Sequence, residues 1–268
     1  MTANLLKLWS FIKRDFLVSV SYRLAFLLQI IAMLLSLMVF FYVTKMIDPA
    51  TAGLDGMPPF SYLLIGYMFQ FYFSTALYAF SAKIRNEQML GTLEAMLVSP
   101  TPTSMVIFSS AAWDFTYGAI RVSLYLLFAT LIFGVELHTA GLEAFALGAL
   151  LTLLWSASLG ILSASFILYF KRGDPINFLI SGATALLGTV FFPAEQLPAI
   201  LRGASDYLPI TWSLRIVRGT LLQGEGFAEL HRELVYLAAF TVLILPLALL
   251  SSRVAIRRAK LEGSLVKY

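Results

Sequence analysis

The sequence predicts an all-α integral membrane protein with six transmembrane helices in a single domain over residues 1–268. Three observations predict it. Of the 268 residues, 59% are hydrophobic and only 13% charged, with a mean hydropathy of +0.83; a soluble domain is nearer half apolar and a quarter charged. Apolar runs near or above about 18–20 residues recur along the chain, each long enough to cross a bilayer as a helix. Lys and Arg collect in alternate connecting segments, as expected of a polytopic protein with a fixed orientation.

The first element is an interface helix within residues 1–23. Leu5, Leu8, Trp9, Ile12 and Phe16 recur at helical spacing, with Lys7, Ser10 and Arg14 opposite. That pattern suits a helix lying in the membrane surface, its cations near lipid phosphates and Trp9 at head-group level. Six spans follow, at Leu24–Thr44, Phe60–Phe80, Phe115–Phe133, Leu142–Phe170, Ile176–Phe192 and Leu234–Ser252. Span one is too long for the apolar core of a signal peptide, and no small-residue cleavage site follows it.

One set of connecting segments holds Lys7, Lys13, Arg14, Arg23, Lys83, Arg85, Lys171, Arg172, Arg253, Arg257, Arg258, Lys260 and Lys267. The other set holds Lys45, Arg202, Arg215, Arg218 and Arg232, and most of the acids. The richer set belongs on the cytoplasmic side, so both termini are expected there.

Two connecting segments carry pattern of their own. In the cytoplasmic loop 81–104, Leu90, Leu93 and Leu97 share a helical face widened by Met89 and Met96, with Glu87, Gly91 and Glu94 away from it. Ser99-Pro100-Thr101-Pro102 ends that helix. Its apolar face needs membrane, neighbouring spans or another protein. The outer segment 193–224 is broken by Pro193, Pro198 and Pro209 into short pieces, with apolar faces at Leu197, Ile200 and Leu201 and at Leu214, Val217 and Leu221. Short helices dipping into the outer leaflet are expected here, and they need their ends covered by protein or water.

Several chemistries are excluded. Cysteine is absent and the two histidines, His138 and His231, are isolated. There is no thiolate or His-Glu-x-x-His metal site, no Gly-x-Ser-x-Gly nucleophile turn and no Gly-x-x-x-x-Gly-Lys phosphate loop. An integral membrane enzyme needs clustered reactive groups, and an ion-coupled carrier needs repeats or several buried charges; neither pattern is evident. Within the spans, Asp114 is expected at the membrane boundary beside Trp113, with Arg121 snorkelling towards it. Ser156, Gly160 and Ala164 in span four recur every four residues, a spacing that lets helices approach within one chain. Pro246 is expected to kink span six.

"EQMLGTLEAMLVSP" (87–100) resembles the Glu-x-x-x-Gly-Thr-Leu-Glu-x-Leu-Leu-x-x-Pro loop of bacterial ATP-binding-cassette exporter permeases of the second exporter type. "FFPAEQLPAILRGASDYLPITWSLRIVRGTLLQG" (191–224) resembles their segment between spans five and six. Where that family commonly has a basic residue about ten positions after the loop proline, this chain has Ser109-Ser110-Ala111.

The resemblance implies the permease half of a drug, lipid or polysaccharide exporter in the bacterial inner membrane. It implies a second permease chain and separate ATPase subunits as partners, with ATP and Mg on the ATPase and none in this chain. Membrane lipids surround such a chain, and nucleic acid has no part. Glu87, Leu90, Gly91, Leu93, Glu94, Met96 and Leu97 would form the ATPase-coupling helix, packed with the interface helix. Spans one, two and five would line the route, with Phe69, Tyr72 and Phe73 on it. Phe192, Pro193, Leu197, Arg215 and Arg218 would belong to an outer gate; from their own setting the two arginines could hold lipid phosphates or acidic partners, or sit as snorkelling rim cations.

Overall fold

The computed structural model describes residues 9–10, 12–17, 21–47, 54, 56–89, 103–170 and 175–261, and these are helices joined by short turns. Five helices are long and apolar enough to cross a membrane. They are α1 (Arg23–Thr44), α2 (Pro59–Met89), α3 (Thr103–Phe133), α4 (Leu142–Phe170) and α8 (Phe227–Leu261). The predicted fifth span is shorter than expected. Helix α5 (Pro175–Leu187) has 13 residues, or about 20 Å at 1.5 Å per residue, against about 30 Å of hydrocarbon. The chain then leaves the helix at Gly188 rather than at Phe192, passing through a turn at 188–193. A 3-10 turn (Ala194–Gln196), α6 (Ala199–Ser205), α7 (Pro209–Arg218) and a π turn (Gly219–Gln223) follow. Spans two, three and six extend well beyond their expected ends, and α8 continues through Pro246.

Helix α2 is the centre of the bundle. Half of its spanning window is buried, against 11% for α1, and it packs against α3 on one side and α4 on the other. The small residues of span four do what their spacing predicts. A side chain on Gly160 would stand 2.5 Å from the Ala76 carbonyl oxygen of α2, and Ser156 and Ala164 are buried beside it. The stripe marks packing inside the chain. Helix α8 lies along α4.

Aromatic contacts fix the two ends. At the end holding residues 134–141 and 188–226, here the hairpin end, Phe41, Phe60 and Phe133 form a triangle with centroids 5.0–5.3 Å apart, tying α1, α2 and α3. Near the middle, Trp155 of α4 is fully buried, 5.2 Å from Phe73 of α2 and 6.2 Å from Phe240 of α8. At the opposite end, Phe16 of the N-terminal segment meets Trp113 of α3 edge-on at 5.6 Å. Trp9 and Phe16 are exposed and Ile12 half-buried, while Asp15 is buried and paired with Arg14 at 2.7 Å. Leu5 lies outside the described residues.

Polar seams stitch α5 to α2 and α4. Gln70 donates to the Ser181 carbonyl at 3.0 Å, and the Ser74 and Ser181 hydroxyls are 3.0 Å apart. Buried Asn177 donates to Ser81 at 3.0 Å and accepts from Ser163. A short helix with few apolar neighbours is anchored by hydrogen bonds that hydrocarbon cannot replace.

The turn at 188–193 crosses α2 at Gly66, where an added side chain would stand 1.8 Å from the Val190 carbonyl oxygen. Gly66→Ala is therefore expected to lower stability by about 1–3 kcal/mol or more, because rigid backbone has to shift. Gly182→Ala, with nothing within 4 Å of the new methyl, should be neutral to stabilising by up to about 1 kcal/mol through helix propensity. Thermal unfolding of the two variants in one detergent checks the pair.

Candidate functional site: the Arg218 hairpin, an apolar cavity and a membrane cation

Backbone that leaves a helix at membrane depth must find partners for its carbonyls. Residues 188–193 do this through Arg218. Its Nη1 donates to the Thr189 carbonyl at 2.8 Å, and its Nη2 donates to the Val190 carbonyl at 2.9 Å and the Tyr62 carbonyl at 3.0 Å. The guanidinium carbon lies 3.4 Å from the centre of the Tyr62 ring, and the Tyr62 hydroxyl donates to the Thr189 carbonyl at 3.2 Å. Thr189 has a left-handed φ of 54°, a conformation an ordinary residue keeps only when its surroundings fix it. Arg218 is 4% exposed. Burial draws its pKa down to about 10 and Tyr62 opposes the shift, so it stays charged at neutral pH. It is neither a rim cation nor open to lipid phosphates: it is the post on which the hairpin turns.

The two sequence arginines have separate fates. Arg215 is exposed, 3.2 Å from Asp206 and over the Trp212 ring at 4.8 Å. Helix α7 and the π turn after it present the predicted face, Leu214, Val217 and Leu221, to the core. It is keyed to α4 through Ser213, which receives hydrogen bonds from Thr152 at 2.8 Å and Trp155 at 3.2 Å. The other predicted face does not hold. Leu197 is buried but Ile200 is 90% exposed, because Leu197 closes the 3-10 turn and lies outside α6. Pro193 is buried and Phe192 half-buried at the same turn.

Beside Arg218 lies a polar cavity of about 200 Å³, lined in part by Tyr62, Glu195, Arg215, Glu225 and Glu233. Glu225 follows Gly224, whose φ of 72° closes the π turn; a left-handed residue there is best a glycine. Burial, then Glu229 and Glu233, raise the Glu225 pKa above the ordinary carboxylate range. Glu229 meanwhile accepts the Gly226 N–H at 2.9 Å and so caps α8.

A second cavity, about 390 Å³ and almost wholly apolar, opens between α3 and α4 with α2 as its floor. Phe69 and Tyr72 line it with Met68, Val122, Leu126 and Leu153. The resemblance put these aromatics on a route bounded by spans one, two and five; here they face spans three and four. Phe73 is not with them. It is 1% exposed and stacked on Trp155, because it lies a further 100° round the helix from Tyr72.

Arg121 does not extend towards Asp114. It sits ten residues inside the α3 span that begins at Ala111, with its guanidinium 4.2 Å from the centre of the Phe71 ring and 6.0 Å from that of Tyr117. The aromatic faces of α2 and α3 compete successfully for the cation. An arginine at mid-span costs about 2.5–3.5 kcal/mol before such compensation.

The residues expected to couple to an ATPase, Leu90, Gly91, Leu93, Glu94, Met96 and Leu97, lie outside the described residues; the backbone of Glu87 belongs to the last turn of α2. Among the described residues no group of three or more His, Asp or Glu could hold a metal. Sequence reasoning missed Tyr62, Gly66 and Thr189 around Arg218, and Asn177 in α5. A glycine in the middle of an aromatic span and an asparagine in an apolar helix were the available signals.

Arg218→Gln leaves buried carbonyls short of donors and is expected to cost about 3–5 kcal/mol, with Arg218→Lys recovering only part of it, since one ammonium cannot span three acceptors and stack on Tyr62. Midpoints of thermal unfolding check this ranking. The raised Glu225 pKa means that the fold favours its protonated form. Its contribution is full below the ordinary carboxylate range and is lost as pH rises through the folded value. Thermal stability should therefore decline towards neutral pH, and Glu225→Gln should flatten that slope.

The profile of the ABC-2 type transporter family matches residues 7–222. No curated protein matches the chain. The matched stretch runs from the N-terminal segment through every spanning helix but the last and on to the π turn that ends the Arg218 hairpin. It covers most of the 268 residues, so this multi-pass membrane protein belongs to the ABC-2 type transporter family and is the transmembrane component of an ATP-binding-cassette transporter.

Proposed function

We propose that the chain is one half of the membrane part of an ATP-driven exporter. It pairs with a second permease chain, most simply an identical one, and two separate ATPase subunits carrying ATP and Mg dock beneath the pair. The carrying observation is the family match over residues 7–222 in a chain without a phosphate-binding loop. The distribution of Lys and Arg supports a bacterial inner-membrane orientation with both termini cytoplasmic and the Arg218 hairpin outside.

In this reading the coupling element is the connection between α2 and α3, residues 90–102 with the last turn of α2, shorter than the loop 81–104 that the sequence predicts. It continues directly from α2, the most buried span. Closure of the ATPase pair moves the two loops together, and α2 passes that movement to the hairpin through Tyr62, Gly66 and Arg218. Coupling of this kind requires the substrate to bind the two states with different affinity. The apolar cavity lined by Phe69 and Tyr72 supports a hydrophobic compound or lipid over a polysaccharide, whose hydroxyls would find few partners there.

Co-purification of the chain with the ATPase encoded beside it tests the reading. Wild type is expected to retain the ATPase. Leu93→Glu, which puts a charge on the coupling face, is expected to lose it while remaining folded. Equal retention by both forms rejects the coupling role of the loop; retention by neither rejects the exporter.

A further inference from the structure

Helices α3 and α4 follow one another in the chain, yet among the described residues they are not packed along each other: each lies on α2 instead. The gap between them is the apolar cavity of about 390 Å³, which runs from Val217 and Leu221 at the hairpin end to Tyr72 and Ala119. Tyr72 stands thirteen residues from Pro59 and Ala119 fourteen from Phe133, the hairpin-end limits of their spans. At 1.5 Å per residue both lie about 20 Å from that end, so the cavity stops near the middle of a bilayer with about 30 Å of hydrocarbon. Its walls reach the lipid-facing surface. Ala119 and Ser123 on α3 are exposed, Leu150 on α4 is 54% exposed, and all three line the cavity.

Three hydroxyls belong to this otherwise apolar lining, those of Tyr72, Ser123 and Thr152. Two are committed within the chain. Ser123 donates to the Ala119 carbonyl at 3.0 Å. Thr152 lies 2.7 Å from the Gly148 carbonyl and 2.8 Å from the Ser213 hydroxyl. Tyr72 differs: among the described residues its hydroxyl has no hydrogen-bond partner. Its ring is seated against Gly118 of α3, where an added side chain would stand 3.2 Å from the ring edge. A phenol at this depth gains nothing from hydrocarbon, which cannot accept its proton. Apolar walls, a volume between about 300 and 1,000 Å³ and a few placed polar groups are the make-up of a small-molecule site.

We propose that the gap between α3 and α4 admits a compact lipophilic compound from the bilayer, and that the Tyr72 hydroxyl selects one carrying a hydrogen-bond acceptor such as a carbonyl or ether oxygen. The proposal rests on the reading of this cavity as the place of a hydrophobic cargo, and it narrows that cargo. A lipid chain entering from the hairpin-side leaflet would bring its methyl end to Tyr72, with no acceptor for the hydroxyl.

The test is photolabelling of the full chain in lipid nanodiscs with benzophenone, whose carbonyl is both acceptor and photoreactive group. Labelled peptides are mapped by mass spectrometry. Diphenylmethane, which has the same rings without the carbonyl, and oleate serve as competitors. In wild type the label should fall on the cavity walls, residues 65–72, 119–126 and 145–153. Benzophenone should half-saturate these sites at a concentration about three- to tenfold below that at which diphenylmethane competes. Tyr72→Phe, which keeps the ring, should bring that ratio to about one with the unfolding midpoint retained. Ala119→Trp, an indole placed at the exposed α3 wall, should remove the labelling, so the test does not hang on one variant.

An unchanged ratio in Tyr72→Phe overturns the proposal. So does labelling that avoids the three cavity segments, or that persists in Ala119→Trp. Displacement by oleate as effective as by benzophenone, and equal in wild type and Tyr72→Phe, assigns the gap to an acyl chain and also overturns it. None of these outcomes needs the ATPase. Failure of ATPase co-purification with the labelling ratio intact rejects the exporter reading alone, and the reverse result rejects this site alone.

Discussion

A transmembrane chain can abandon helical hydrogen bonding only where something else satisfies the backbone. In this protein that something is Arg218. Its guanidinium takes three carbonyls, from Tyr62, Thr189 and Val190, and stacks on the Tyr62 ring. Without those donors the turn after α5 would leave buried acceptors unmet, and α5 would have little reason to stop after 13 residues. The hairpin, the polar cavity beside it and the close approach of Val190 to Gly66 all follow from that one side chain.

The remaining architecture keeps the clamp in register. Trp155 and Thr152 hold α7 through Ser213, and α4 can come close enough to α2 to do so because Gly160 faces the Ala76 carbonyl. On the other side of α2, the Phe41, Phe60 and Phe133 triangle fixes α1 and α3. The central helix is thus gripped at several depths, and its far end runs on to Met89, where the segment proposed to meet the ATPase begins. Dense contacts along a single rigid helix give a physical route by which movement at one membrane face reaches the other.

Much of this was legible in the sequence. Hydropathy located the spans, because length and apolarity are what the bilayer selects, and span four was placed at its observed bounds. The spacing of Ser156, Gly160 and Ala164 gave intrachain packing directly. Periodicity also gave the buried face of α7. It failed where the deciding partner was distant in sequence. Arg218 reads as a rim cation from its neighbours, yet it bonds residues 28, 29 and 156 positions away. Hydropathy carried span five through Val190 and Phe192, since apolar side chains in a turn score like apolar side chains in a helix. Phe73 and Tyr72 are adjacent letters whose different roles depend on which helix each faces. Arg121 was assigned to Asp114 by distance along one helix, while a ring on a neighbouring helix wins it.

The central claim is that Arg218 holds the non-helical turn at 188–193, and with it the hairpin, in place. Hydrogen–deuterium exchange of the full chain in lipid nanodiscs, wild type against Arg218→Gln, addresses it most directly. The account predicts loss of protection across residues 188–193 and 209–223, with α4 and the membrane portion of α8 unchanged. Unchanged protection throughout the hairpin would contradict it, since the turn would then be held by something other than this arginine.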